Sequence, residues 1–235
     1  KLTKTQDQLS ITGHAIEARL YAEDSAKGFL PSVGRLDHFD LGDDGRIKTG
    51  VEEGDAISPF YDPMIAKLIA YGDSRGDAIA GLADMLDEVE VWPVRTNAGF
   101  LFNALLDEGF GAARIDTGFI ERNLDELVPD PEPDEAIWRG AAAVATAVPE
   151  EEALLADLAG FRLNAPVGAS VALGRGGEFR RVSLDDEQPM AAVSGFRDEE
   201  RVVAFYEGQA YEFALSSRGT VGHGAHDGGI TAPMP

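Results

Sequence analysis

The stretch DPMIAKLIAYGDSRGDAIAGLADMLDEV, residues 62–89, carries the clearest fold signal in this chain. Its first ten residues are largely apolar, with Lys67 as the one base, which favours a buried strand and leaves a buried helix as the competing interpretation. Ser74 or Asp77 could cap a helix, and beyond them apolar residues recur at spacings of three and four. These residues are Ala78, Ile79, Leu82, Ala83, Met85, Leu86 and Val89. The stretch therefore predicts a strand followed by an amphipathic helix.

The flanking segments extend this pattern to an α+β arrangement, with strands first and helices after. Residues 14–22, HAIEARLYA, partly alternate and predict a strand. Residues 34–39 and 46–51 predict two more strands, joined by a hairpin turn over residues 42–45, GDDG. Two further helices are predicted, one after Asn97 and one after Thr117. Their inward-facing residues are expected to be Phe100, Leu101, Ala104 and Leu105 in the first, and Phe119, Ile120 and Leu124 in the second.

A proline-rich connector follows the first half of the chain. Three prolines alternate in LVPDPEPD, residues 127–134, and proline fixes φ and disfavours helix at the residue before it. Asp134 is placed to cap an alanine-rich helix over residues 135–147. Consecutive short strands with tight turns, one of them at Glu207-Gly208, then imply an antiparallel sheet, closed or sandwiched, with the helix against it. The predicted strands are 161–165, 170–173, 178–184, 190–193, 201–206 and 210–215.

The composition excludes several classes of function. The chain has 42 acidic and 20 basic residues, a formal net charge of −22, so nucleic acid and anionic lipid would be repelled. Four His and no Cys exclude disulfides, thiolate zinc sites and a cysteine nucleophile. No apolar run reaches about 18 residues, so no membrane span is predicted. The polar N-terminus lacks the apolar core of a signal peptide, which leaves a cytoplasmic location as the default.

Few residues suggest chemistry when they are taken one by one. The sequence contains no GxSxG, Walker-type or HExxH motif. His223 and His226 lie in the glycine-rich stretch 219–229, which we interpret as a linker rather than a metal site. The acidic residues within 40–44 lack the spacing of an EF-hand, so no metal ligands are assigned. Arg46 lies at the start of a predicted strand, and from composition alone we assign it a surface role.

Three blocks of sequence carry a family resemblance. They are GHAIEARLYAED at residues 13–24, GFLPSVGRL at 28–36 and GDAISPFYDPMIAKLIAYG at 54–72. In this order and spacing they resemble the C-terminal part of biotin carboxylase, an ATP-grasp enzyme. The resemblance continues through RTN at 95–97 and DTGFI at 116–120, and covers about half the chain. It is strongest to the 3-methylcrotonyl-CoA carboxylase branch, with the propionyl-, acetyl- and geranyl-CoA enzymes close by.

The resemblance implies a domain division for a chain that we expect to be a piece of a longer polypeptide. Residues 1–127 would form the biotin carboxylase C-terminal domain and 128–134 the connector. Residues 135–218 resemble the inter-subunit (BT-type) domain of acyl-CoA carboxylase alpha subunits, where an antiparallel β-barrel wraps a helix and docks the carboxyltransferase beta subunit. Residues 219–229 would be a linker and 230–235, ITAPMP, the start of a truncated biotinyl domain. A hetero-oligomer is implied.

The resemblance implies that Arg46 is the residue of this chain that takes part in the family's chemistry. Biotin carboxylases have an arginine after the turn that precedes the SPxYD-type block, and counting back from Tyr61-Asp62 places it at Arg46. By this resemblance Arg46 is catalytic and contacts the ureido group of biotin and bicarbonate. A guanidinium is always charged and planar, which suits negative charge that develops on the ureido oxygen. This chain departs from its relatives at Lys48, where they usually carry an acid, and at Ser25, where they usually carry proline.

The resemblance also implies what lies outside the chain. The ATP and Mg ligands of the family would lie upstream of Lys1, and the lysine that carries biotin downstream of Pro235. The chain is therefore expected to belong to an alpha subunit for ATP- and bicarbonate-dependent carboxylation of biotin, and to be inactive alone. Propionyl-CoA or acetyl-CoA carboxylase is the alternative within the family. A non-catalytic scaffold or binding module and an unrelated ATP-grasp ligase are the alternatives outside it.

Overall fold

The strand and helix expected at residues 62–89 are the centre of the first half of the computed structural model, which describes residues 3–60, 62–147, 170–184 and 188–216. The strands are β1 (His14–Tyr21), β2 (Glu23–Asp24), β3 (Leu30–Pro31), β4 (Gly34–Arg35), β5 (His38–Asp40), β6 (Arg46–Thr49), β7 (Ala56–Ile57), β8 (Met64–Gly72), β9 (Glu90–Trp92), β10 (Ser170–Arg175), β11 (Glu178–Ser183), β12 (Ser194–Arg197), β13 (Arg201–Tyr206) and β14 (Gln209–Leu215). The α-helices are α1 (Arg75–Asp87), α2 (Ala98–Leu106), α3 (Glu108–Gly111), α4 (Phe119–Leu127) and α5 (Glu135–Thr146). None of these helices combines the length and apolar character that a bilayer crossing requires.

A three-stranded antiparallel sheet in the order β1–β8–β6 forms the base of the first half. The strand interpretation of β8 is therefore confirmed and the helix alternative is wrong. Side chains of a strand alternate between faces, and Ala66, Leu68 and Ala70 of β8 are buried in the core cluster. Lys67 and Tyr71 consequently lie on the opposite face of the sheet. Over residues 66–71 of β8 the sheet thus has one side in the core and the other side directed away from it.

Helix α1 covers the buried side of this sheet. Ser74 caps it, because the Asp77 amide donates to Ser74 Oγ at 3.2 Å and the Ser74 amide donates to Asp77 Oδ2 at 2.9 Å. The hydrogen bonds from Ser74, led by that of its side chain, hold the pKa of Asp77 below its ordinary value. Leu82 and Leu86 are fully buried in the core cluster. The predicted period of three and four residues is confirmed.

The hairpin predicted over residues 34–51 is wrong. β6 pairs with β8, while β5 pairs with β9 and β4 with β7. The turn itself exists, since Gly42 and Gly45 both have positive φ, but the side chains of Glu88 and Met85 crowd the two glycines. The chain therefore passes over the end of α1 before β6 joins the central sheet. Local turn residues predict a change of direction and not the strand that will be the partner.

Helix α4 buries a different face from the one expected. Phe119 is buried as predicted, but Ile120 and Leu124 are 49% and 37% exposed, so that part of the prediction is wrong. Leu127 is buried instead, and the Asn123 side chain donates to the Phe119 carbonyl at 2.9 Å. The inward stripe is 119, 123 and 127, which has the four-residue spacing of one helix face.

The second half is a five-stranded antiparallel sheet with α5 packed against it. The strand order is β11–β10–β14–β13–β12, and α5 is capped by Asp134, whose Oδ1 accepts from the Ile137 amide at 2.9 Å. The apolar cluster between them includes Trp138 of the helix, whose ring lies 4.7 Å from that of Phe213. Both the Asp134 cap and the 207–208 turn between β13 and β14 are confirmed. The mixed helix and sheet class predicted for the chain is thus observed.

One predicted strand of the second half is displaced. Residues 190–193 form no strand, and β12 begins at Ser194. The Ala191 amide donates to the Ala136 carbonyl at 3.0 Å, and a Cβ on Gly140 would lie 2.8 Å from Val193, so this segment lies against α5 instead of joining the sheet. Residues 161–165 lie outside the described residues. Over the ranges that are described the sheet is open, with β11 and β12 as its edges, and closure into a barrel is not confirmed.

The hairpin of β13 and β14 lies on the first half at a contact that we call the junction, formed by His38, Asp87, Trp92, Phe196, Phe205, Glu207 and Gly208. The Glu207 amide donates to Asp87 Oδ1 at 2.7 Å. A Cβ added to Gly208 would lie 2.8 Å from the Leu86 carbonyl oxygen and from the Ala98 side chain. The backbone of the turn therefore packs directly on the ends of α1 and α2.

Aromatic rings fill the rest of the junction. The His38 ring lies 5.3 Å from that of Phe205, stacked, and 4.9 Å from that of Phe196. His38 Nε2 lies 2.7 Å from Glu90 Oε2, which fixes the imidazole. Trp92 Nε1 donates to Glu212 Oε2 at 3.3 Å across the same contact. His38 is therefore a structural residue of the junction, held by its hydrogen bond to Glu90 and its ring contacts.

Candidate functional site

Arg46 begins β6 on the side of the central sheet that faces away from the core. Its neighbour Ile47 packs against the core cluster, and because side chains alternate along a strand, Arg46 and Lys48 project from the opposite side. Arg46 is exposed. Within the described part of the chain no hydrogen bond or ion pair engages its guanidinium. All its N–H donors are therefore available to a bound group.

The pairing register shows which residues share this side of the sheet, which we call the outer face: Ala15, Glu17, Arg19, Arg46, Lys48, Lys67, Ile69 and Tyr71. Arg46 lies directly opposite Ile69, and Ile69 directly opposite Glu17. The next row consists of Lys48, Lys67 and Arg19, again directly opposite one another. Directly opposed residues in an antiparallel pair have Cβ atoms about 4.5–5.5 Å apart. Arg46 is thus adjacent to a row of three cations.

The outer face is positively charged, although the chain as a whole carries a formal net charge of −22. It has four cations and one carboxylate, that of Glu17. Glu17 Oε1 lies 3.5 Å from Lys67 Nζ and 3.8 Å from Arg19 Nε, so it is shared between two of them. The face can therefore attract small anions and stabilise negative charge that develops close to it.

The segment 58–64 lies at the other end of the sheet from Arg46. Residue 46 is opposite residue 69 of β8, and Met64 is five residues from that point, or roughly 17 Å at the usual rise of a strand. Tyr61 lies outside the described residues. Near this end, burial raises the pKa of Glu23, with the charge of Asp62 as a second cause. Arg46 therefore lies on a strand that pairs with β8 but roughly 17 Å along the sheet from the segment that precedes β8.

The acidic residues beyond β5 form a separate cluster at the edge of the junction. A cleft of about 460 Å³ is lined there by Asp40, Asp43, Asp44, Asp87 and Glu88, among others. Burial raises the pKa of Glu88, and the charges of Asp44, Asp84, Asp87 and Asp40 raise it further. Asp40 Oδ1 accepts from the Gly42 amide at 2.9 Å, as in a turn. In the ranges that are described, no three His, Cys, Asp or Glu side chains are arranged to hold a metal ion.

A larger cleft, of about 720 Å³, lies between β10–β11 and Arg95 of the first half. Its cations are already engaged by the protein. Arg95 donates to the Ala210 carbonyl at 2.6 Å, and Arg175 contacts Glu132 at 3.1 Å and the Pro131 carbonyl at 2.7 Å. The Arg180 guanidinium lies 3.8 Å from the Trp138 ring centre. These arginines hold the connector and the second half together, which leaves the outer face as the candidate site.

Sequence reasoning singled out Arg46 and missed its neighbours on the outer face. Glu17 and Arg19 are two residues apart in a segment predicted to be a strand, and Lys67 is the one base in a largely apolar stretch. Period-two alternation was therefore a signal that could have grouped each of them within its strand. It could not align the three strands, because register depends on pairing over long sequence separations. His223 and His226 lie outside the described residues.

The comparison with protein families concerns the segment that contains this face. A family model described as the biotin carboxylase C-terminal domain matches residues 17–122. Residues 17–122 are thus similar to this domain family. The matched segment includes β6, β8, α1 and most of β1, and with them Arg46. The resemblance stated from the sequence blocks is confirmed.

Similar proteins support the same assignment. The mitochondrial methylcrotonoyl-CoA carboxylase alpha subunit of Arabidopsis thaliana is 42% identical over 132 residues, covering 55% of this chain and 18% of that protein. The Glycine max protein of the same name is 36% identical over 179 residues, covering 72% of this chain and 24% of that protein. A solved biotin carboxylase domain of a thermophilic 2-oxoglutarate carboxylase, bound to bicarbonate, has a TM-score of 0.52 and 30% identity, covering 55% of this chain and 30% of that one. The chain thus spans about a quarter or less of these curated relatives.

Proposed function

We propose that this chain is part of the alpha subunit of a biotin-dependent acyl-CoA carboxylase, with Arg46 as a catalytic residue of biotin carboxylation. The observation that carries the proposal is the unengaged guanidinium of Arg46, exposed on the outer face of a biotin carboxylase C-terminal domain. The acyl-CoA is proposed to be 3-methylcrotonyl-CoA, because proteins of that name are similar to this chain. Propionyl-CoA and acetyl-CoA carboxylase remain the alternatives within the family.

The residues present fit the ureido group of biotin. A guanidinium offers several N–H donors in one plane, and that of Arg46 has no protein acceptor within the described residues. Biotin, when bound, supplies the ureido nitrogen that takes up the carboxyl group. Arg46 would donate to the ureido oxygen and to bicarbonate, and so stabilise the negative charge that develops there. Lys67 and Lys48 add positive potential from the neighbouring row.

The remaining parts of the reaction are assigned to the longer protein. ATP and Mg would be held by residues outside this chain, and biotin would be carried by a biotinyl domain of the same polypeptide. The chain alone is therefore proposed to be inactive. Residues 135–218 would form the inter-subunit domain, with its sheet closed into a barrel around α5 that docks the carboxyltransferase beta subunit in a cytoplasmic hetero-oligomer. Support for this part is the packing of α5 on the five-stranded sheet.

The role of Arg46 is tested in the full-length alpha subunit with Arg46→Ala. We expect kcat for biotin carboxylation to fall about 10²–10³-fold, as for loss of a donor to developing charge. The KM for ATP should change much less, because the ATP ligands lie elsewhere. Arg35→Ala, which removes an exposed guanidinium paired with Asp37 at 3.4 Å on β4, is the matched control and should retain kcat. Equal kcat for Arg46→Ala and the wild type would exclude the role.

A further inference from the structure

Lys48, Lys67 and Arg19 form a row of like charges across three strands, which we call the cationic row. Each is directly opposite the next in the register of β6, β8 and β1. Like charges in directly opposed positions destabilise a sheet, whereas opposite charges stabilise it. An acid at position 48 would form a cross-strand ion pair with Lys67, and this chain has a third cation there instead. The arrangement therefore lowers the stability of the isolated sheet.

The protein itself balances little of this charge. Glu17 is the one carboxylate of the outer face, and its contacts with Lys67 and Arg19 are long, at 3.5 Å and 3.8 Å. Lys48 has no carboxylate within ion-pair distance among the described residues. Other cations of the chain are paired more closely, such as Lys27 with Asp24 at 3.1 Å and Arg180 with Glu135 at 2.7 Å. The cationic row is thus a site with excess positive charge in a strongly acidic chain.

The size of the row suits a phosphate-bearing anion. With neighbouring Cβ atoms about 5 Å apart, the three charged heads span about 10 Å and sit on flexible stems that can converge. Ammonium groups bind phosphate oxygens as point charges, and a guanidinium can bind two oxygens at once. The Lys67 side chain is 31% exposed, which limits the screening of its charge by solvent. A single carboxylate could contact one or two of the heads, while linked phosphates could reach all three.

We propose that Lys48, Lys67 and Arg19 bind a small phosphate-bearing anion on the outer face beside Arg46. This inference goes beyond the proposed function, because it requires neither biotin nor a metal and concerns residues other than Arg46. The bound anion neutralises the cross-strand repulsion, so binding and stability are coupled at Lys48. Arg46, two residues from Lys48 on the same face, is then next to a held phosphate.

The test is calorimetric titration of the chain with inorganic tripolyphosphate at low ionic strength and without metal. Lys48→Glu should weaken binding about tenfold or more, since it replaces a charge-assisted contact by a repulsive one. Lys4→Glu, an exposed lysine before β1, makes the same change in net charge and should alter affinity less than threefold. Orthophosphate and ADP as further titrants distinguish a free phosphate from one that is part of a nucleotide. Equal affinity for Lys48→Glu and the wild type, or equal loss in both variants, would overturn the proposal.

Thermal unfolding gives a second, opposite readout at the same residue. Lys48→Glu should raise Tm by about 1–3 °C without ligand, because a repulsive cross-strand pair becomes an attractive one. Tripolyphosphate should raise the Tm of the wild type and leave that of Lys48→Glu almost unchanged. Lys48→Gln is a milder variant and should lie between them in both measurements. A ligand-induced Tm shift that is the same in wild type and Lys48→Glu would contradict the proposal, whatever the outcome for Arg46 in carboxylation.

Discussion

The junction and the outer face are both rich in charged and aromatic residues, yet they differ in how far the protein satisfies its own groups. At the junction and the adjoining cleft, Glu207, Arg95 and Arg175 each have a partner at 2.6–2.7 Å. On the outer face the ion pairs are 3.5 Å or longer. Arg46 and Lys48 have no partner in the part of the chain that the structure describes. Unengaged charge, rather than residue type, therefore marks the candidate site.

We expect the largest loss of stability from a substitution at Gly208, in the junction. Gly208→Ala would introduce a Cβ 2.8 Å from the Leu86 carbonyl, at a residue with φ of +71°. The matched control is Gly177→Ala, at the same position of the β10–β11 turn, with φ of +87° and no neighbour within 4 Å. Both variants suffer the backbone strain, about 1–2 kcal/mol, but only Gly208→Ala should lose a further 1–3 kcal/mol or so from overpacking. Chemical denaturation measures the difference, and equal losses would show that the junction is not closely packed.

Tyr211 should make the second half sensitive to alkaline pH. Burial raises the pKa of Tyr211 to about 12 from an ordinary value of 10.0, with the charges of Glu207 and Asp130 as further causes. The neutral phenol is favoured in the folded state, so its contribution is complete below pH 10 and is lost as the pH rises towards 12. Denaturation midpoints measured across this range should fall less steeply in Tyr211→Phe than in the wild type. Tyr71→Phe, on the outer face, serves as the control, and an unchanged slope in Tyr211→Phe would contradict the burial argument.

A substitution at Glu88 is expected to change stability least. Its effect should disappear at acidic pH, whereas that of Tyr211 appears at alkaline pH. The pKa of Glu88 is raised from 4.5 by burial and by nearby aspartates, so the ionised form opposes folding. That cost is absent below the unfolded value and develops as the pH rises through it. Glu88→Gln should therefore raise Tm at pH 7 by about 1–2 °C and have little effect at pH 4. Glu121→Gln on the exposed side of α4 is the control; a stabilisation that persists unchanged at pH 4 would refute the electrostatic explanation.

The sequence predicted the elements of this fold better than their partners. The largely apolar run of β8, the three-and-four spacing of α1 and the Asp134 cap are local signals, and the strand, the helix and the cap are confirmed. The pairing of β6 and the displacement of residues 190–193 depended on packing against α1 and α5, which no local pattern contains. Arg46 was identified through the family resemblance, and the cationic row beside it required the register of three strands.

The proposed role of Arg46 is tested most directly by a single-turnover measurement in the full-length protein, which we propose is an alpha subunit. Enzyme, MgATP and labelled bicarbonate are mixed, and transfer of the label to biotin is followed before any acyl-CoA is added. For Arg46→Ala we expect a rate about two orders of magnitude below that of the wild type, while Arg35→Ala should remain at the wild-type rate. A rate for Arg46→Ala equal to that of the wild type would contradict the proposed role.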